Sequence, residues 1–182
     1  MTLEYAILGL LSWRPFAGYD LKKVFSASAV FYWSGNNNQI YRTLIQLHED
    51  GLVSNEVHYQ ENLPPKKVYS ITPKGLEALR AWLASTPEAP ELRNTFLVQL
   101  AWADLLGPAE LDDLLGRYAE EVRLQLRMQQ ERLRRGDPLP QRTRREAYLW
   151  AMINENVLAS YQTELDWIER LRRGLEHIPT GE

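Results

Sequence analysis

The apolar residues of this chain change their spacing twice, and that restricts the folds open to it. From Leu3 to Leu47 they recur at steps near three and four. The runs "LVSNEVHYQ" and "KKVYSIT" are instead β-prone, and after Pro73 the helical spacing returns. The spacing predicts a mainly α chain with a small β insertion.

The first segment, "TLEYAILGLLS", puts Leu3, Ile7, Leu10 and Leu11 on one side of a helix, with Thr2 as its cap and Glu4 in its first turn. Pro15 and Gly18 break it. A second helix is expected from Tyr19 or Asp20 to as far as Tyr32, with Leu21, Val24 and Phe25 inward and Lys22 and Lys23 outward. After "SGNNN" a third carries Ile40, Leu44 and Leu47 inward and stops at Gly51. "ENLPP" joins the two β-prone runs, and its Pro64 and Pro65 suit a hairpin tip or an edge. Pro73 then suits the first turn of "PKGLEALRAWLAS". Three helices, a two-stranded wing and a helix follow the order of a winged helix-turn-helix, although spacing alone leaves other α+β arrangements open.

The connector "STPEAPE" separates an N-terminal domain, residues 1–86, from a C-terminal helical one, residues 87–182. Helices are expected over about 92–106, from Pro108 to Arg135, and from Thr143 to His177, the last two turned back on each other by "RGDPLPQ". Leu111, Leu115, Tyr118, Val122, Leu126 and Leu133 stripe one long helix; Leu149, Ile153, Val157, Tyr161, Leu165, Ile168 and Leu175 stripe the other. Such stripes need cover, and this half offers few elements to supply it, so a second subunit is expected.

Composition narrows the function classes. The 182 residues are 45% apolar with a net charge of -3, enough for a core and unlike a disordered chain. With no cysteine, disulfides, thiolate metal sites and cysteine nucleophiles are excluded. The longest apolar run is cut by Arg14 and Pro15 and has no basic segment before it, so neither a membrane span nor a secretory signal is expected and the reading is cytoplasmic. All five lysines lie in the first 84 residues, where 8 Lys+Arg meet 7 Asp+Glu; the remainder holds 13 Arg against 17 Asp+Glu. A small basic face is possible on the first part; a nucleic-acid surface covering the whole protein is not.

The third helix opens with Asn36, Asn37, Asn38 and Gln39, more carboxamides than a helix cap requires. In a helix-turn-helix the second helix of the motif meets base edges through its N-terminal residues. Asn and Gln can pair with adenine, and Arg42 with guanine or phosphate, beside Tyr41, Thr43 and Gln46. Lys66 and Lys67 on the wing and Lys22 and Lys23 on the other flank would meet the backbone. Taken singly, each fits a solvated surface; together they point to double-stranded DNA. Catalysis is not expected. Asp112 with Asp113 and Glu120 with Glu121 are helix neighbours that diverge, and His48, His58 and His177 lack metal-ligand spacing, so no catalytic residue, metal or cofactor is assigned. The arginine runs at 132–135, 142–145 and 169–173 are read as stabilising helix C-termini.

"LGLLSWRPFAGYDLKK", "NNNQIYRTLIQLHEDGLV" and "PPKKVYSITPKGLEALRAWL" resemble successive blocks of the PadR family of bacterial winged-helix transcription regulators, over residues 3–84. The resemblance implies a homodimer that binds an inverted-repeat operator as a repressor, with Tyr19, Gln39 and Tyr41 near DNA and Lys66 and Lys67 on the wing. Asn62 and Leu63 depart from the family's wing, which often carries Gly and Arg there. The second half resembles, more loosely, the dimerisation region of longer members, some of which bind aromatic effectors. Phe96, Trp102, Trp150 and Trp167 are the residues that would line such a site. The rival class is a winged-helix module that docks another protein rather than DNA.

Overall fold

The computed structural model describes residues 2–27, 37–60, 63–89, 94–136 and 140–178. Two compact units divide the chain, residues 1–88 and 89–182. No helix among the described residues is long and apolar enough to cross a membrane.

The first unit runs α1 (Thr2–Trp13), β1 (Phe16–Ala17), α2 (Gly18–Ala27), α3 (Asn37–Glu49), β2 (Val53–Gln60), β3 (Leu63–Ile71) and α4 (Pro73–Leu83). The core gathers Leu3, Ile7, Leu8, Leu10 and Leu11 of α1 with Leu21, Phe25, Ile40, Leu44, Leu47, Val53, Tyr69 and Leu79. Burying such a set supplies the main driving force, at about 1.5–3 kcal/mol for each large side chain. Tyr5 stacks on Trp82 at 4.6 Å, laying α1 against the end of α4.

The sheet has three strands in the order β1-β3-β2, where the sequence reading expected two. Phe16 and Ala17 pair antiparallel with Tyr69 and Val68. A two-residue strand leaves no periodicity to read, and Pro15 before it looked only like a break. Helix α2 accordingly starts at Gly18, one residue earlier than expected; the continuation toward Tyr32, with Asn36, lies outside the described residues. Pro64 and Pro65 stand in the outer end of β3 rather than at a tip. They are tolerated there because β1 reaches only Val68 and Tyr69, leaving that side of β3 without a strand partner among the described residues.

In the second unit the segment expected as one helix is divided. Helix α5 (Thr95–Ala101) ends at Trp102 and a 3-10 turn, Ala103–Leu105, follows. Then come α6 (Pro108–Arg135) and α7 (Arg144–Leu175). Asp112 meets Arg172, Tyr118 meets Glu164 and Gln129 meets Asn154, so the two long helices run antiparallel. Ala119, Val122, Leu165 and Ile168 form their shared core. Farther along, Leu133 of α6 and Leu149 and Ile153 of α7 are exposed, so a single chain covers only part of each stripe.

The arginine runs correct one expectation. Arg134 and Arg135 do close α6, both held by Glu131, and Arg172 and Arg173 close α7. The 142–145 run instead sits at the start of α7, where the helix dipole disfavours cations. Glu146 in that first turn compensates: its carboxylate takes the Arg142 guanidinium and, at 2.7 Å, the Arg142 amide.

Candidate nucleic-acid interface

Helix α3 is the centre of the candidate site. Ile40, Leu44 and Leu47 are buried, and Asn38, Gln39, Tyr41, Arg42, Ile45, Gln46, His48 and Glu49 are exposed. Asn38, Arg42, Ile45 and Glu49 repeat the spacing of the core residues on the opposite face, which makes them one outward stripe. Its N-terminal half is carboxamide and guanidinium; the acids Glu49 and Asp50 stand at the far end. Such an arrangement sets hydrogen-bond donors and acceptors near the helix start and keeps its negative charge at the far end. Arg42 makes no ion pair among the described residues.

The remaining sequence-predicted positions on α3 are more constrained. Asn37 opens the helix, but its side chain lies outside the described residues, as does all of Asn36. The half-buried Thr43 donates its hydroxyl to the Gln39 carbonyl at 2.9 Å. The Gln46 carboxamide donates to the Asp50 carboxylate at 3.1 Å. Both polar groups are therefore engaged locally, and Asn38, Tyr41 and Arg42 are among the exposed polar residues of α3.

Tyr41 lies against the start of α2. Its ring passes so close to Gly18 that a β-carbon there would push it aside. The buried Tyr69 has its pKa raised, mainly by burial and further by Tyr41. Beside it Tyr19 is exposed, with the Lys23 ammonium 4.9 Å over its ring. Lys22, expected to point outward with Lys23, is half-buried.

The far end of α3 is clasped by the start of α4. Thr72 donates its hydroxyl to the Gly51 carbonyl at 2.8 Å, accepts from the Gly75 amide at 3.1 Å, and donates its own amide to the Leu52 carbonyl. Lys74 donates to the Asp50 carbonyl at 2.7 Å. Three of these contacts hold the turn that ends α3, and the Gly75 amide caps α4.

On the wing, Lys66 pairs opposite His58 and Lys67 opposite Val57. Neighbouring residues of a strand face opposite ways, so the two lysines lie on opposite faces of the hairpin. Sequence reasoning missed two exposed residues here, Tyr59 on the wing at 84% and Ile45 on α3 at 55%. A helical wheel would have found Ile45, since it falls off the Ile40, Leu44 and Leu47 stripe; Tyr59 had only its place in a β-prone run.

In the second unit the four candidate effector residues do not gather into one pocket. Phe96 is buried, stacked on Tyr118 at 3.7 Å and edge-on to Trp167 at 6.2 Å. Trp102 is 71% exposed. Trp150 and Trp167 share α7 and are separated by 17 residues, roughly 25 Å along the axis, too far for one small ligand within a single chain. Phe96 and Trp167 serve as core beside a hydrogen-bonded set in which Tyr118 donates to Glu164 at 2.8 Å and Asn94 donates to Tyr118 at 2.9 Å.

Residues 7–81, which hold α3, the clasp and the wing, match the transcriptional regulator PadR-like family. Over these residues the first unit is PadR-like. Residues 92–176 match a second family, virulence activator alpha C-term. The negative transcriptional regulator PadR of Bacillus subtilis is 32% identical over 114 residues, 62% of this chain and 63% of that protein. A probable transcriptional regulator of Mycobacterium tuberculosis is 36% identical over 84 residues, 46% of this chain and 44% of that one. The chain thus spans less than two thirds of the length of the curated relatives it matches.

Solved structures extend the likeness in fold over almost the whole chain. B. subtilis PadR in complex with operator DNA matches with a TM-score of 0.81 at 24% identity, covering 94% of this chain and 97% of that one. The same protein in complex with p-coumaric acid matches at 0.78 and 23%, covering 97% and 100%. The Vibrio cholerae virulence activator AphA matches at 0.70 and 28%, covering 96% and 98%. In this PadR-like unit, then, the outward stripe of α3 belongs to the second helix of a winged helix-turn-helix.

Proposed function

We propose that the chain is a sequence-specific DNA-binding transcriptional regulator that occupies an inverted-repeat operator as a homodimer and acts as a repressor in the cytoplasm. One observation carries the reading: Asn38, Tyr41 and Arg42 stand exposed on α3 while Ile40, Leu44 and Leu47 anchor the same helix in the core. Asn38 would take an adenine edge and Arg42 a guanine edge or a phosphate. Tyr19, Lys22, Lys23, Lys66 and Lys67 would meet the backbone on either flank.

The division of labour follows the units. The first would bind DNA; the second would pair two chains through the exposed residues of its stripes, among them Leu133, Leu149 and Ile153. Two such heads must span one turn of B-DNA, about 34 Å. A small aromatic effector, of the kind bound by B. subtilis PadR in the p-coumaric acid complex, would act by altering that spacing and hence DNA affinity.

A gel-shift assay against the DNA upstream of the chain's own gene, with random-sequence competitor and a salt series, tests the reading. Binding should resist the competitor and weaken steeply with salt as cations on the protein displace counterions. Lys66→Ala should weaken all sequences about equally, whereas Asn38→Ala and Arg42→Ala should blur preference at particular bases. Equal losses on specific and random DNA for all three variants would contradict it.

A further inference from the structure

The middle turn of α3 presents a group that hydrogen bonding to bases does not explain. Ile45 is 55% exposed, one turn beyond Tyr41 and Arg42 and one turn before Glu49, within the stripe that faces away from the core. An isolated apolar residue on a protein surface is ordinary. What distinguishes Ile45 is its position and company. The polar groups beside it are turned inward on the helix, Gln46 to Asp50 and Thr43 to the Gln39 carbonyl. At this level of the helix the exposed chemistry is therefore a branched hydrocarbon.

In the major groove the base pairs offer hydrogen-bond donors and acceptors and a single apolar group, the C5-methyl of thymine. We infer that Ile45 reads a thymine through that methyl, one turn along α3 from the base that Arg42 meets. Contact removes both hydrocarbon surfaces from water, and losing one methyl from such a contact should weaken binding about fourfold. The assignment rests on the DNA-reading function proposed above and adds to it a base and the atom that identifies it.

The probe is a duplex selected from a random-sequence pool by the full-length chain. Each thymine is then replaced singly by deoxyuridine, which removes the C5-methyl and leaves Watson–Crick pairing intact. Wild type should lose about fourfold at one thymine in each half-site. Ile45→Ala should bind the parent duplex about that much more weakly and be indifferent to deoxyuridine at the same position, while Ile45→Val retains part of the response. Because Ile45 is exposed, all three proteins should show the same thermal unfolding. If wild type binds the selected duplex but tolerates deoxyuridine everywhere, or if Ile45→Ala keeps the full penalty, the assignment fails and the DNA-reading function stands. If no duplex is enriched, both fall together.

Discussion

A β-carbon at Gly18 would stand 2.7 Å from Cε1 of Tyr41, so the absence of a side chain at the start of α2 sets where an aromatic of α3 lies. The obstacle is the far end of a half-exposed ring, which can swing aside. Gly18→Ala should therefore leave the unfolding free energy within about 1 kcal/mol of wild type. Specific DNA binding should fall about tenfold, the scale of one lost recognition contact. In a Tyr41→Ala background the same substitution should have no further effect, and a double-mutant cycle on operator affinity checks this.

Gly51 and Gly75 flank the clasp and should respond unequally to alanine. Gly51 has φ +70° with open space around its missing β-carbon, so Gly51→Ala should cost only the left-handed penalty, about 1–2 kcal/mol. At Gly75 a β-carbon would overlap the Leu52 carbonyl oxygen and crowd Ile71, and backbone cannot rotate away as a side chain does. Gly75→Ala should cost roughly 4 kcal/mol or more. Urea denaturation of the two variants should place Gly75→Ala well below Gly51→Ala.

Buried between the long helices, Gln129 donates to Asn154 at 3.2 Å while its own Oε1 meets no donor among the described residues. Asn154→Ala strands the remaining carboxamide and should destabilise by about 1–3 kcal/mol. Replacing both residues by leucine removes the unmet group altogether. The double variant should be at least as stable as wild type in urea denaturation at matched protein concentration.

Tyr118 predicts an alkaline transition. Burial is the largest influence raising its phenol pKa above 10.0, and the neighbouring Glu164 carboxylate adds to the rise while Asn94 opposes it. A phenol whose folded-state pKa exceeds its unfolded value contributes stability that is intact below about pH 10 and disappears as pH rises through the folded value. Tyr118→Phe keeps the ring on Phe96 but has no proton to lose. Its unfolding free energy should fall less than that of wild type between about pH 9 and pH 11; parallel curves would show that the phenol is not the titrating group.

The outward stripe of α3 was legible in advance because burial and exposure on a helix follow from spacing alone: once Ile40, Leu44 and Leu47 turn inward, Asn38 and Arg42 have to turn out. The long helices were legible for the same reason, with Gly136 and Thr143 marking their facing ends. What resisted were features decided by distant partners. Phe16 and Ala17 become a strand only because β3 offers an edge, and Gln46 turns to an aspartate one turn away. Aromatic character alone does not separate a ligand wall from core, and Phe96 packs against both Tyr118 and Trp167.

Lys66 and Lys67 sit back to back on a thin blade. A polyanion laid against either cheek of that blade meets one ammonium and hides from the other. Both are satisfied together only by a rod that passes the hairpin edge-on, so the two adjacent cations select an angle of approach as well as a sign of charge.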